Sequence, residues 1–327
     1  MAGQKEIRSR IASTISTQQI TKAMKLVSAT KLRKASEAIV RMRPYAEKLQ
    51  GIMAGLQESA DDDRLAVYFK AREVQKVALL IITSDRGLCG AFNANVVKRV
   101  RAMAAGELAG KQVQYICIGK KGAESLKRLG FDCDTRFVNA LNGLGAESAF
   151  DLASTILEEF KAGQYDQVTV VYNRFKNAAT QILSADAFLP VSPADKAEAT
   201  QGSSDYLFEP SKVAILEDLI PRSLKTQLYR SMLDSLASEH GARMIAMDKA
   251  TDNAGELLRS LRLAYNQARQ AAITREISEI VGGVAALEGA LNSPSKEKSV
   301  LLSGLPRGSL ILSAGSFGPL GLMKRSL

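Results

Sequence analysis

The sequence predicts a small α/β domain flanked by two long helices that pair as an antiparallel coiled coil. Three observations carry this prediction: helical periodicity at both ends, strands alternating with helices in the middle, and no proline between Arg222 and Leu287. A helix that long needs a partner along its length. Because the α/β region lies between the two helices in sequence, they can pair with each other only by running antiparallel or nearly so.

The N-terminal helix is predicted from apolar residues spaced three and four apart, which is typical of the contact line of a coiled coil. The residues with this spacing are Ile7, Ile11, Ile15, Ile20, Met24, Val27, Ala35, Ile39, Met42, Leu49, Ile52 and Leu56. We therefore expect residues 1–57 to form one shaft helix. Residues 58–73, which contain the acidic run Asp61 to Asp63, are expected to form a linker.

The middle of the chain, residues 74–209, has the pattern of a doubly wound α/β domain. Val77 to Thr83 is a continuous apolar run of strand length, as expected for a strand buried on both faces of a parallel sheet. Further strands are predicted at Gln112–Ile118, Gln167–Tyr172 and Thr180–Ala187, and helices at Ala94–Met103, Ala123–Leu129 and Ala146–Ala162. The last two strands are expected to pair as a hairpin, which gives the sheet an antiparallel edge.

The C-terminal helix is predicted over residues 210–287, where small and apolar residues again recur at helical spacing. They are Ala254, Leu257, Leu258, Leu261, Tyr265, Ala268, Ala272, Ile273, Ile277, Ile280 and Val284. At ~1.5 Å per residue, Arg222 to Leu287 alone would span roughly 100 Å. Residues 288–327 mix glycine and proline with leucine and serine, without a clear period, which favours a disordered tail.

The charge of the chain is concentrated on the first helix. The net charge is +10, and residues 1–48 hold eleven Lys or Arg against three acidic residues. A basic rod suits either a phosphate backbone or acidic protein loops. Tyr45 is the one aromatic residue of this region that could stack on a base, so nucleic acid is disfavoured.

The composition also bears on cellular location. No apolar stretch reaches the roughly 18 residues of a membrane-spanning helix, so membrane association is expected only through partners. The N-terminus lacks the apolar segment of a signal peptide. Cys89, Cys117 and Cys133 have no metal-binding spacing and are interpreted as buried small side chains in a reducing cytoplasm.

No catalytic, cofactor or metal motif stands out in the sequence. The turn from Ser84 to Gly90 and the run Gly119 to Gly122 follow predicted strands, but neither has GxGxxG spacing or the lysine of a phosphate-binding loop. We interpret both as tight turns and His240 as a solvated helix residue. Two alternatives stay open on the residues alone: a nucleotide-using α/β enzyme that binds at Ser84 to Gly90, and a basic coiled-coil adaptor for nucleic acid.

Three segments carry a specific resemblance to a known family. MAGQKEIRSRIASTISTQQITKAMKLVSATKLRKA, ITSDRGLCGAFNANV and ASEHGARMIAMDKATDNA with YNQARQAAITREISEIVGGVAAL occur in order over residues 1–287. They resemble the γ subunit of the rotary proton-translocating ATP synthase, in its bacterial type. The resemblance implies a shaft of two terminal helices, a Rossmann-like middle domain, and no catalytic role, cofactor or metal.

The resemblance also implies partners and location. The shaft would turn inside the hexamer of α and β subunits, driven by a membrane ring of c subunits, with an ε subunit at its foot. The subunit would be peripheral at the cytoplasmic face of the bacterial inner membrane and would couple rotation to ATP synthesis and proton transport. The family usually ends near Val284 to Leu287, so the 40 residues beyond are a departure.

Individual positions can be carried over from the resemblance. Contact with β and coupling are expected at Met24, Lys22, Lys25, Arg33, Lys34, Arg243, Arg269, Gln270 and Thr274. An apolar bearing tip is expected at Ile277, Ile280, Val281, Val284 and Leu287. Tyr206 is expected to contact ε and the ring.

Overall fold

The computed structural model describes residues 3–56, 67–69, 73–191 and 212–291 and contains one mixed sheet and two long terminal helices. The elements are α1 (Gln4–Leu56), β1 (Lys76–Ile82), α2 (Phe92–Ala105), β2 (Gln112–Ile118), α3 (Lys120–Arg128), β3 (Cys133–Asp134), α4 (Ala146–Lys161), β4 (Gln167–Phe175), β5 (Gln181–Leu189) and α5 (Lys212–Leu291). The predicted combination of terminal helices and a central α/β domain is confirmed.

The sheet has the strand order β3-β2-β1-β4-β5. β1 pairs in parallel with both β2 and β4, and β5 runs antiparallel to β4 as the predicted edge strand. β3 is only two residues long and pairs with β2 next to Tyr115. The sequence did not predict it, because two residues carry no periodic signal.

The two faces of the sheet bury alternate residues of each strand, as the pleat requires. In β1, Leu80 packs in a cluster with α4 and the first part of α5, whereas Leu79 packs in a second cluster with α2 and α3. Six of the seven β1 residues are buried. β1 is therefore the central strand, and α5 covers one face of the sheet before it continues toward the C-terminus.

α1 and α5 run antiparallel where they meet. Thr21 Oγ1 lies 2.8 Å from Thr251 Oγ1, Gln18 Nε2 donates to Thr251 O at 3.4 Å, and Lys25 pairs with Asp248. The residue number falls along α5 as it rises along α1, which establishes the antiparallel direction.

The buried stripe of α1 is a strict heptad pattern rather than the apolar stripe expected from the sequence. Its positions, alternately three and four apart, are Ile7, Ile11, Thr14, Gln18, Thr21, Lys25, Ser28, Leu32, Ala35, Ile39, Met42, Ala46 and Leu49, all buried or half-buried. Ile20 and Val27 were expected in the contact line but are 57% and 56% exposed. The expectation failed because polar residues occupy the middle of the contact line. A selection of apolar residues alone therefore includes residues on a neighbouring face of the helix.

The matching stripe on α5 shows the same pattern. Met247, Ala254 and Leu258 are buried, and Leu261 and Tyr265 are half-buried, at successive spacings of seven, four, three and four. Leu257 was expected beside them but is 50% exposed. Adjacent helical residues face about 100° apart, so Leu257 and Leu258 cannot both face α1.

α5 runs through Pro221, which costs a backbone hydrogen bond and about 3 kcal/mol in a helix interior. Leu216 and Ile220 before it and Leu224 and Leu228 after it are all buried in the sheet cluster. Each buried leucine contributes about 2 kcal/mol, so packing on both sides of the proline offsets its cost.

α5 ends at Leu291, four residues beyond the predicted limit of 287. The chain divides into two units, one up to Tyr265 and one from Asn266. In the second unit the described residues are helical, and each residue from 273 to 289 is exposed. The remaining residues of the predicted tail, 292–327, and the acidic run at 61–63 lie outside the described residues.

The end of β1 and the start of α3 meet at two glycines. Thr83 Oγ1 accepts a hydrogen bond from Gly122 N at 2.9 Å. A Cβ added to Gly122 would lie 2.4 Å from that oxygen, and one added to Gly119 would lie 2.1 Å from Thr83 O. Gly119 also has φ of +111°, which disfavours a side chain. Both glycines are therefore required by close packing.

We predict that Gly119→Ala and Gly122→Ala each lower the free energy of unfolding by about 3 kcal/mol or more, since the new methyl meets backbone or buried side-chain atoms. Gly145→Ala is the matched control, because Gly145 has φ of −109° and open space around it. Urea unfolding of the purified chain measures all three. A cost for Gly122→Ala no larger than for Gly145→Ala would contradict the packing argument.

One buried carboxyl on α5 opposes folding at neutral pH. Asp234 is 6% exposed, and burial raises its pKa to about 6 from 3.8, against the attraction of Arg230, Arg174 and Arg43. Between pH 3.8 and 6 the folded state keeps a proton that the unfolded state releases, so stability falls as pH rises through this window. Above pH 6 the ionised Asp234 lowers the free energy of unfolding by on the order of 3 kcal/mol at most.

We predict that Asp234→Asn stabilises the chain at pH 7, because the amide cannot ionise, and that the gain shrinks toward zero as pH falls to 4. Denaturant unfolding of both chains at pH 7, 6, 5 and 4 measures the gain directly. A gain that is the same at every pH, or a loss at pH 7, would show that the carboxylate is stabilised by its arginine neighbours.

Candidate functional site

Three of the basic residues expected to contact β lie on the exposed face of α1. Lys22 and Lys34 are exposed, and the side chain of Arg33 is 77% exposed. Arg33 lies 3.7 Å from Glu37 one turn away, a surface pair that holds the guanidinium only weakly. These cations are therefore available to an acidic partner.

Met24 and Lys25 lie at the edge of the contact line between α1 and α5, and both are half-buried. Lys25 is not free as the sequence suggested, because its ammonium pairs with Asp248 across the two helices. The thioether of Met24 is flexible and polarisable, which suits a contact that must adapt to several surfaces. The structure thus places Met24 beside the polar middle of the helix pair.

Arg243 has a different placement from the one expected. Its side chain is 9% exposed and pairs with Glu239 at 2.6 Å. Its Nη2 donates to Arg86 O at 2.9 Å, and its Nε donates to Gly87 O at 3.4 Å. The guanidinium is therefore hydrogen-bonded within the chain, and the expected contact of Arg243 with β stays a prediction.

His240 also differs from its sequence interpretation as a solvated residue. It is 7% exposed, and its Nδ1 lies 3.4 Å from Nη1 of Arg243. Burial, together with the charges of Arg243 and Lys31, lowers the pKa of His240 to about 4. The ring is therefore neutral at pH 7. The helical position alone could not reveal this, because the burial of a helix residue depends on parts of the chain that are distant in sequence.

Arg269, Gln270 and Thr274 lie in the second unit of the chain and are all exposed. The residues of the expected bearing tip follow on the same helix. Ile277, Ile280, Val281, Val284 and Leu287 are between 51% and 68% exposed. Large apolar side chains in such number on one exposed helix indicate a surface that a partner covers. Tyr206 lies outside the described residues.

The turn from Ser84 to Gly90 was the candidate nucleotide site, and its polar groups are used within the chain. Ser84 Oγ donates to Arg86 O at 2.7 Å, and Ser84 N donates to Asn93 Oδ1 at 3.0 Å. Asp85 Oδ1 accepts from Lys120 N at 3.1 Å at the start of α3. These contacts favour the interpretation as a structural turn. Sequence reasoning missed its role, which is to hold Arg243.

The described residues form neither a metal site nor a membrane span. No group of three or more His, Cys, Asp or Glu side chains there could hold a metal ion. None of the helices in that part of the chain combines the length and apolarity needed to cross a bilayer.

Solved structures similar to this chain come from mitochondrial ATP synthases. A chain from the Euglena gracilis mitochondrial ATP synthase, described as OSCP/F1/c-ring in rotational state 3, matches with a TM-score of 0.60 and 21% identity. The match covers 90% of this chain and 97% of that chain. A second Euglena gracilis chain, from the rotor in rotational state 1, gives a TM-score of 0.57 and 23% identity, covering 83% and 98%. At these identities the matches establish the fold.

Sequence comparison is more specific. A family profile described as ATP synthase matches residues 3–287. The ATP synthase gamma chain of Flavobacterium psychrophilum is 53% identical over 289 residues, covering 88% of this chain and all of the relative. That of Cytophaga hutchinsonii is 49% identical over 295 residues, covering 88% of this chain and 99% of the relative. With a profile match over most of its length and relatives near 50% identity, the chain belongs to the ATP synthase gamma chain family.

Proposed function

We propose that this chain is the central rotor shaft of an ATP synthase and that it couples rotation of a membrane ring to the conformational cycle of the catalytic β subunits. As a gamma chain it is a non-catalytic subunit with a central-stalk role. The single observation that carries the mechanism is the antiparallel pairing of α1 with α5, with the α/β domain inserted between them in sequence.

The asymmetry of this helix pair is what makes coupling possible. A shaft that presented the same surface at every angle would bind each β subunit equally and could not bias one state over another. Lys22, Arg33 and Lys34 give α1 an exposed basic face. Acidic loops on β would meet that face at one rotational angle and not at others. The differential contact then shifts the β site between open and closed states.

A second contact set lies on the later part of α5. Arg269, Gln270 and Thr274 are exposed and carry hydrogen-bonding groups, so they can form a directional catch to β. The apolar residues from Ile277 to Leu287 that follow suit a bearing, because apolar contacts are non-directional and do not hold one angle. The polar set therefore favours particular rotational angles, whereas the apolar set favours none.

The partners follow from the same proposal. Related structures carry titles that name a central stalk with a c-ring, a rotor, and an OSCP/F1/c-ring assembly. For this chain we propose the α and β subunits of the hexamer, an ε subunit and a ring of c subunits, with Tyr206 at the ε and ring contact. The chain would be peripheral at the cytoplasmic face of a bacterial inner membrane, reaching the membrane only through the ring.

Rotation of the chain inside its complex tests the proposal. The three native cysteines are replaced by alanine, Lys127 on the exposed side of α3 is changed to cysteine, and a bead is attached there. With the hexamer fixed to a surface, Mg-ATP is expected to drive stepwise rotation of the bead. A bead attached to a β subunit of the same complex serves as control and stays fixed. Hydrolysis without rotation at Lys127→Cys would refute the shaft role.

Met24→Lys tests the coupling contact on α1. We expect intact assembly but weaker coupling, because a charge at this half-buried edge changes the contact with β in some states more than others. Proton pumping per ATP hydrolysed in membrane vesicles should fall about fivefold, which corresponds to ~1 kcal/mol of coupling free energy.

Val40→Lys is the matched control for Met24→Lys. Val40 lies on the same helix and is 64% exposed, so an added charge there stays solvated. Its pumping ratio should equal that of the unmodified complex. An unchanged ratio in Met24→Lys, or equal losses in both variants, would count against a specific role for Met24.

A further inference from the structure

Two loops of the α/β domain hold α5 over a span of six residues, Ser238 to Arg243. One is the turn after β1, which supplies Arg86 O and Gly87 O to the Arg243 guanidinium. The other is the β4–β5 hairpin, in which Asn173 O accepts from Ser238 Oγ at 3.0 Å. At its tip, Ala178 O would lie 3.1 Å from a Cβ added to Gly241. We call this pair of loops the collar.

The two loops of the collar grip opposite sides of the helix. Each residue of an α-helix turns by about 100°, so Ser238 and Gly241 lie within about 60° of each other and Arg243 lies about 140° to 160° away from both. A helix held from one side can roll across its support. A helix held from both sides cannot rotate about its axis unless one grip opens.

The grip by Arg243 is built to resist opening. Arg243 and Glu239 form an ion pair in which both side chains are 9% exposed, and Glu239 orients the guanidinium from one turn away. Separating the pair would leave an uncompensated buried charge, which costs more than the loss of a surface contact. The planar guanidinium also reaches two successive carbonyls, which an ammonium could not do in the same way.

The turn that receives Arg243 is itself fixed to the sheet. Ser84 binds Asn93 of α2 through its backbone N and its hydroxyl, and Asp85 binds the first N–H of α3. These hydrogen bonds attach the turn to α2 and α3, so the turn moves together with both helices. From the turn this movement passes to Arg243 and so to α5.

We propose that the collar is the torsional coupling between the α/β domain and the shaft helix α5, with Arg243 as its positioning residue. This inference rests on the proposed function, since torque matters only if the chain rotates. It also gives Arg243 a role within the chain, beside the contact with β that the resemblance predicts. The collar would make α5 and the α/β domain turn as one body under load.

The torsional stiffness of the whole complex tests whether the collar couples the α/β domain to α5. The hexamer is fixed to a surface, a bead is attached at Lys127→Cys, and the complex is stalled with a non-hydrolysable ATP analogue and Mg²⁺. At thermal equilibrium the angular variance of the bead is inversely proportional to stiffness. Loss of one of the two opposing grips should therefore raise the angular variance of the bead above that of the unmodified complex.

The variant Glu239→Gln with Arg243→Met removes the grip and leaves no unpaired buried charge. Arg243→Lys is the second variant: it keeps the pair with Glu239 but loses the two-carbonyl contact, and an intermediate variance is expected. If the double variant does not assemble, Arg243→Lys decides the outcome. A variance equal to that of the unmodified complex in the variants that assemble would overturn the collar.

Two controls separate torsion from general destabilisation. Leu228→Ala weakens the buried cluster around α5 but leaves both loops of the collar intact. Arg99→Met removes an ion pair with Glu107 elsewhere on the α/β domain. Both should keep the unmodified variance, and a rise in Leu228→Ala as large as in the double variant would also overturn the proposal. Failure of the unmodified complex to rotate would instead refute the shaft role, so the two results are distinguishable.

Discussion

The pairing of α1 with α5 is the constraint on which the rest of the chain depends. A helix in a protein is stabilised mainly by the packing of one face, so the buried stripe of α1 depends on α5 where the two helices pair. The polar middle of the contact line contributes direction more than energy. Thr21 with Thr251 and Lys25 with Asp248 are satisfied in one register, and a shift by one heptad would separate them. Polar contacts of this kind fix the relative positions of the two helices.

The α/β domain answers a second requirement, because the shaft must be joined to something that can drive it. The first part of α5 is a core helix of that domain: Leu216, Ile220, Leu224 and Leu228 cover one face of the sheet. The same helix then leaves the sheet and pairs with α1. Helix α5 therefore belongs to both parts of the protein and joins them as one continuous helix.

Strands, helices and the antiparallel edge of the sheet were predictable because each carries a long periodic or apolar signal. β1 is the clearest case, since six of its seven residues are buried. The contact line of α1 was predicted less well, because Gln18, Lys25 and Ser28 occupy positions where an apolar residue is expected. The burial of Arg243 was out of reach, since it depends on a turn more than 150 positions away in sequence.

Asp234 and His240, six positions apart on α5, respond to acid in opposite ways. His240 is hard to protonate in its buried site, so it weakens the fold as pH drops from 6.5 toward 4. Asp234 gains its proton more readily when folded, so it strengthens the fold from pH 6 downward. Over the shared interval the two effects largely cancel. The change in folding free energy that acid produces through His240 is thus offset by the change that it produces through Asp234.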